Sequence, residues 1–188
     1  MDGGRILSFQ FQEIGLNGLI LIEPNVYKDE RGYFLETFKE SDYEQAGICK
    51  RFVQDNHSFS HKNVIRGLHY QLPPAAQGKL VYLITGSILD VVVDIRKNSP
   101  DFGKWFSLEL HSEKKQLLYI PEGFAHGFLT LTDNVHLIYR CTDKYSPENE
   151  KGILWNDPEL NITWNITQPI ISAKDAGLPY FKQAQIFE

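Results

Sequence analysis

The sequence predicts an all-β fold, a sandwich or barrel of many short strands, on three observations. Runs of Val, Ile, Leu, Tyr and Phe recur at short spacing, and Gly, Pro, Asn and Asp punctuate them. Aromatic residues make up 13% of the 188 residues, nine of them Tyr, which suits a pleated, half-buried interior. The clearest strands are residues 80–85, 88–95, 105–110, 116–120, 125–131 and 135–142. Gly86-Ser87 predicts a hairpin turn between the first two, and Asn98-Ser99-Pro100-Asp101 breaks the chain before the third. Helical signal is confined to residues 41–46 and to a stretch opening at Ser172, so the helices are short and peripheral. The length suits one domain over residues 1–188, and no repeat, linker or low-complexity segment divides it. Residues 1–17 read as an N-terminal arm or edge strand, an element that in β folds often pairs with a second subunit.

Composition narrows the function classes. A net charge of -5 with no long basic run offers no electrostatic footprint for nucleic acid or for an anionic membrane surface. An anionic ligand must therefore meet a local basic cluster. Cys49 and Cys141 lack metal-type spacing, and no basic stretch precedes a long apolar one at the N-terminus. A cytoplasmic protein is the expectation.

Chemically capable residues gather in two places. The first begins at Arg66-Gly67-Leu68-His69-Tyr70-Gln71 and runs to Lys79; if residues 72–78 form a loop between neighbouring strands, His69 and Lys79 both point into one cavity. The second is Pro121-Glu122-Gly123-Phe124-Ala125-His126-Gly127-Phe128, where Pro and Gly force a turn that delivers His126 at the start of a strand, with Tyr139 on a later strand. The two segments resemble the two motifs of the cupin superfamily, which implies a cupin-like jelly roll, a double-stranded β-helix. Many cupins hold a catalytic metal through His-x-His and a following Glu, because such a site needs at least three convergent N or O ligands and an open position. Here Gln71 replaces the second His, Ala75 and Ala76 stand where the Glu would be, and the Lys79 ammonium would repel a cation. No metal and no cofactor is expected. The same cavity is instead equipped to abstract a proton beside a carbonyl: an imidazole base, a cation for the enolate, and a phenol to return a proton to the opposite face. His69, Lys79 and Tyr139 fit those roles, and inversion requires base and acid on opposite faces.

A closer resemblance rests on Asp29-Glu30-Arg31-Gly32-Tyr33-Phe34, Gln54-Asp55-Asn56, the two segments above, Tyr145-Ser146-Pro147, Leu154-Trp155-Asn156-Asp157-Pro158 and Ser172-Ala173-Lys174-Asp175. In this order they resemble the dTDP-4-dehydrorhamnose 3,5-epimerase family, from about residue 18 to 181. The resemblance implies an isomerase that inverts C3 and C5 of dTDP-4-dehydro-6-deoxy-glucose through an enolate, giving dTDP-4-dehydro-L-rhamnose. It implies His69 as base, oriented by Asp175, with Tyr139 as acid and Lys79 facing the C4 oxygen. It sets Arg31, Glu36, Gln54, Asn56, Arg66, His126, Glu150 and Lys174 around the sugar, pyrophosphate or nucleoside, with Asp55 in the same motif and Tyr145 stacked on the base. It also implies a homodimer with an exchanged N-terminal strand, in which Phe34 and Gln54 serve the neighbour's site. The chemistry agrees: the planar fork of arginine bonds two phosphate oxygens at once, and Arg31 and Arg66 supply the local positive cluster.

Other readings stay open at this point. Ser172-Ala173-Lys174-Asp175 has the form of a helix capping box, which would occupy the Asp175 carboxylate at the cap. His126 is either a substrate contact or an orienting, structural residue. His57, His61, His111 and His136 read as surface or packing residues. Alternative functions are a single-carbon epimerase or ketoisomerase of another dTDP-deoxysugar pathway, and a cupin that binds a sugar nucleotide without turning it over.

Overall fold

A computed structural model describes residues 8–188. Two antiparallel sheets face each other. The six-stranded sheet has the order β1 (Phe9–Glu13), β2 (Ile20–Pro24), β10 (Leu117–Ile120), β7 (Lys79–Thr85), β12 (Val135–Cys141), β5 (Gln54–Ser60). The five-stranded sheet has the order β13 (Glu150–Gly152), β6 (Ile65–Gln71), β11 (Phe124–Thr130), β8 (Ser87–Asp94), β9 (Trp105–His111). A separate hairpin pairs β3 (Tyr27–Asp29) with β4 (Gly32–Phe34). Helices α1 (Glu40–Gln45) and α2 (Ala173–Ala176) are short and lie outside the sheets, so the chain is the all-β jelly roll with peripheral helices that the motifs imply.

Two connections differ from the sequence expectation. Gly86-Ser87 does not close a hairpin: β7 and β8 lie in different sheets, and Gly86 is the corner at which the chain crosses over. Its φ of +83° and the approach of Thr132 and Val135 to within 2.7 and 2.8 Å of any added Cβ restrict that corner to glycine. Residues 72–78 likewise link β6 to β7 across the sandwich and not between neighbouring strands. The crossing sets His69 and Lys79 on opposing sheets, so the expectation of a shared cavity survives for a different geometric reason.

Three apolar clusters hold the layers. Val81, Leu83, Ile88, Val92, Leu118, Phe128 and Leu137 meet between the sheets. The C-terminal segment brings Ile153, Leu160, Trp164 and Phe181 onto the outer face of the five-stranded sheet. The segment around α1 brings Tyr43 and Ile48 onto Phe9, Ile22, Leu80 and Leu117 of the six-stranded sheet. Strand β8, covered on both faces, is buried at all eight positions and accordingly reads as a nearly continuous apolar run. Along β7 and β12 the inward positions change from Val81, Leu83, Val135 and Leu137 to Lys79, Tyr139 and Cys141 at one end. There the sandwich stops being a core and opens as a cavity.

Of the predicted N-terminal arm, residues 8–17 are described and include β1, an edge strand paired with β2; residues 1–7 of that arm lie outside the described residues.

Candidate active site

The open end of the sandwich holds a cavity of about 490 Å³, within the range of small-molecule sites. Its walls come from both sheets: Arg66, His69 and His126 from β6 and β11, and Gln54, Asn56, Lys79 and Tyr139 from β5, β7 and β12. Tyr145, Glu150, Lys174 and Asp175 close its rim.

Strict alternation on β6 would turn Arg66 and His69, three residues apart, to opposite faces. A β-bulge prevents this. The pairing of β6 with β11 shifts between His126 and Phe128, so that His126 opposes His69 while Phe128 opposes Arg66. The extra residue falls at Gly67-Leu68, where the peptide is cis and Gly67 has φ +114°. A Cβ on Gly67 would come within 2.5 Å of Gly127 Cα and 2.6 Å of the His126 carbonyl. The Gly-x-His run of the motif is therefore a device that faces arginine and histidine into the same space.

His69 Nε2 lies 2.9 Å from Asp175 Oδ1, and Asp175 Oδ2 accepts from Gly67 N at 3.2 Å. Ser172 does cap α2, its Oγ accepting from Asp175 N at 3.1 Å, but the aspartate carboxylate goes to the histidine. The capping reading is thus true of the serine, and the carboxylate is left for the site. Burial alone would push the Asp175 carboxyl up; the bonds from His69, Gly67 and Ser172 outweigh it and hold it below the usual carboxylate range. With Nε2 donating to this carboxylate, Nδ1 of His69 is the ring's lone-pair nitrogen.

Lys79 reaches across from the other sheet and donates from Nζ to the His69 carbonyl at 3.2 Å. Burial pushes its ammonium down, opposed by charge at Cys141, Asp90 and Glu150. Tyr139 faces the cavity from the sheet opposite His69, and burial raises its phenol. At the rim, Glu150 accepts from Tyr145 Oη at 2.7 Å and from Lys174 Nζ at 2.6 Å. Gln54 bonds Asn56 Oδ1 at 3.0 Å and accepts from Tyr145 N at 2.9 Å, which fixes the half-exposed Tyr145 ring beside the opening. Arg66 is anchored by Ser60 Oγ at 3.0 Å and the Phe59 carbonyl at 3.1 Å.

Several expectations land elsewhere. Asp55 faces outward: on β5 the even-numbered residues Gln54, Asn56 and Ser58 point inward, so Asp55 belongs to the outer face, where it pairs with Arg140. Arg31, Phe34 and Glu36 do not line this cavity. Arg31 sits at the tip of the β3–β4 hairpin with its side chain 85% exposed and bonded to Asp29, and Phe34 is 66% exposed. His126 is buried and bonded to Asp90 while also lining the cavity. His57 and His136 pair with one another on the exposed outer face. Gln71, at the position where metal-binding cupins carry a histidine, spends its amide on the backbone of Ala75, Lys144 and Ser146, tying together the loops at the cavity mouth. Cavity residues without a sequence expectation include Ser58 on β5 and Cys141, the latter legible from the alternation of β12. Asp90, behind His126, had no signal beyond being an acidic residue in an apolar strand.

Known proteins similar to this chain come from one family. The model of the family described as dTDP-4-dehydrorhamnose 3,5-epimerase matches residues 13–183. The dTDP-4-dehydrorhamnose 3,5-epimerase of Shigella flexneri is 50% identical over 170 residues, 90% of this chain and 94% of the relative. That of Methanothermobacter thermautotrophicus is 50% identical over 182 residues, 95% of this chain and 98% of the relative. The crystal structure of dTDP-6-deoxy-D-glucose-3,5-epimerase from Legionella pneumophila in complex with dTDP-4-keto-L-rhamnose superposes with a TM-score of 0.89 at 45% identity, covering 93% of this chain and 94% of that one. Shared sequence over nearly the whole length and a shared fold carry one conclusion: the chain belongs to the dTDP-4-dehydrorhamnose 3,5-epimerase family.

Proposed function

We propose that this chain is an isomerase that epimerises C3 and C5 of dTDP-4-dehydro-6-deoxy-glucose, giving dTDP-4-dehydro-L-rhamnose, by proton abstraction and re-addition. The observation that carries the reading is the His69–Asp175 pair facing, across one cavity, a lysine and a tyrosine borne by the opposite sheet.

In this reading Nδ1 of His69 takes the proton from the carbon beside the C4 ketone, and Asp175 stabilises the imidazolium that forms. The electron pair left on carbon moves onto the C4 oxygen, where the Lys79 ammonium meets the developing enolate charge. Tyr139 returns a proton to the other face, which inverts the centre; solvent then takes the imidazolium proton and reprotonates the phenolate, and the second carbon follows by the same exchange. General acid–base catalysis contributes about 10²- to 10⁴-fold and an oriented charge on the oxyanion about 10²- to 10³-fold, so His69 and Lys79 matter for different reasons. Arg66 and Lys174 take the pyrophosphate, while Gln54, Asn56, Glu150 and Tyr145 take the sugar and the flat base. No step calls for a metal: among the described residues no three His, Cys, Asp or Glu side chains gather as a ligand set, and His69 and His126 each spend Nε2 on a carboxylate.

The same reading makes the whole chain one catalytic domain and the protein a cytoplasmic homodimer. Support for the dimer is the β3–β4 hairpin, which carries Arg31 and exposed Tyr27, Tyr33 and Phe34 away from its own cavity, and the open edge at β1. A cytoplasmic location is supported by two cysteines left as thiols. No described helix is long and apolar enough to cross a membrane.

Incubation with the keto-sugar in deuterated water should place deuterium at both C3 and C5. Label at one carbon alone would favour a single-carbon epimerase, and binding without any label would reduce the protein to a sugar-nucleotide binder. A His69→Ala variant should lose turnover while still binding dTDP.

A further inference from the structure

The cavity floor holds a second imidazole–carboxylate pair that no step above uses. Asp90 on β8 is 1% exposed, and its Oδ2 accepts from His126 Nε2 at 2.8 Å. Its Oδ1 accepts no hydrogen bond among the described residues. A buried carboxylate oxygen left without a donor is expensive and calls for an explanation in function. His126 is 7% exposed, lines the cavity and is the register partner of His69 across β6 and β11. The bond to Asp90 places the His126 proton on Nε2, which leaves Nδ1 as an acceptor.

We propose that Asp90 is a positioning residue for the epimerisation: it fixes His126 in the Nε2–H tautomer, with Nδ1 turned to a hydroxyl of the sugar. The inference rests on the epimerase reading and deepens it. Asp90 touches no substrate; it acts through the His126 side chain.

The Asp90→Asn variant keeps the size of the side chain and an acceptor for His126 but removes the charge. Expected are a kcat lower by about 10- to 100-fold, with KM and the dTDP dissociation constant within about 3-fold of wild type. A variant with wild-type kcat, or with dTDP binding lost in step with the fold, would overturn the proposal. Imidazole ¹⁵N NMR of the wild-type protein reads the tautomer without relying on any variant: the neutral His126 ring should carry its proton on Nε2, and an Nδ1–H form overturns the assignment even if the variant does not fold. That measurement needs no substrate, so its failure is separate from failure of the epimerase reading, which the deuterium experiment tests.

Discussion

At the scale of single residues the site trades stability for chemistry. Lys79 is a half-buried ammonium that lines the cavity, and burial lowers its pKa in the folded state. A folded-state pKa below the unfolded value means that the charged form destabilises the fold at neutral pH, a cost that fades as pH rises and the amine deprotonates. Lys79→Met fills the same volume without a charge, so it should abolish turnover by at least about 100-fold while raising the melting temperature, at about 2–4 °C for each kcal/mol recovered. Calorimetry beside a kinetic assay checks both; a lower melting temperature would show that the lysine was structural. Asp175 has the opposite sign. Its folded pKa is held low, so its contribution to stability is present above the unfolded value of about 4 and is lost as pH falls through the folded one. Asp175→Asn should therefore be less stable than wild type at neutral pH by about 1.5–3 kcal/mol, the range for hydrogen bonds to charged groups. The gap should close as pH drops below about 4. Denaturant midpoints measured across that range decide it.

At the scale of elements, what the sequence could reveal depended on whether an element buries apolar side chains on a regular period. Strands β7, β8, β9, β11 and β12 were legible within a residue or so because each feeds an apolar cluster. Strand β5 was not. Its inward residues are Gln54, Asn56, Ser58 and Ser60, so a strand that lines a polar cavity shows no hydrophobic alternation. The same inversion hid the outward turn of Asp55. Gly86 was legible as a turn but not as a change of sheet, because local turn chemistry is blind to which sheet the next strand joins. His69, Lys79, Tyr139 and Asp175 could be singled out from motifs, but the bulge that aims Arg66 with His69 could not, since its trace in sequence is a lone glycine. Gly67→Ala tests that device. The added methyl meets backbone on the neighbouring strand, not a side chain that can swing away. Expected are a loss of about 2–4 kcal/mol and a collapse of turnover beyond what the lost stability explains, because Arg66 and His69 lose their common face. An alanine variant with wild-type melting temperature and activity would show that the bulge is dispensable.

At the scale of the whole molecule, the cavity of one chain leaves part of the predicted machinery outside it. Arg31, Phe34 and Glu36 do not reach the site of their own chain, yet Arg31 is the second half of the basic cluster that an acidic protein needs to hold a pyrophosphate. The hairpin that carries Arg31 and Phe34 pairs with neither sheet; the Lys115 ammonium lies 4.4 Å over the Tyr33 ring, but Tyr27, Tyr33 and Phe34 stay exposed, an arrangement suited to reaching into a second copy by two-fold exchange. If so, each site draws His69 from one chain and Arg31 from the other, and a mixed dimer makes a sharp test. His69→Ala and Arg31→Ala homodimers should both be nearly inactive. In a heterodimer of the two, co-expressed with different tags and purified through both, one site collects both defects and the other collects neither. Activity should return to about half that of the wild-type dimer, one intact site in two. If Arg31 served its own chain, every site of the heterodimer would carry one defect and no activity would return. Sedimentation of the same preparation distinguishes failed exchange from failed assembly, since a heterodimer that forms and stays inactive assigns the hairpin to its own subunit.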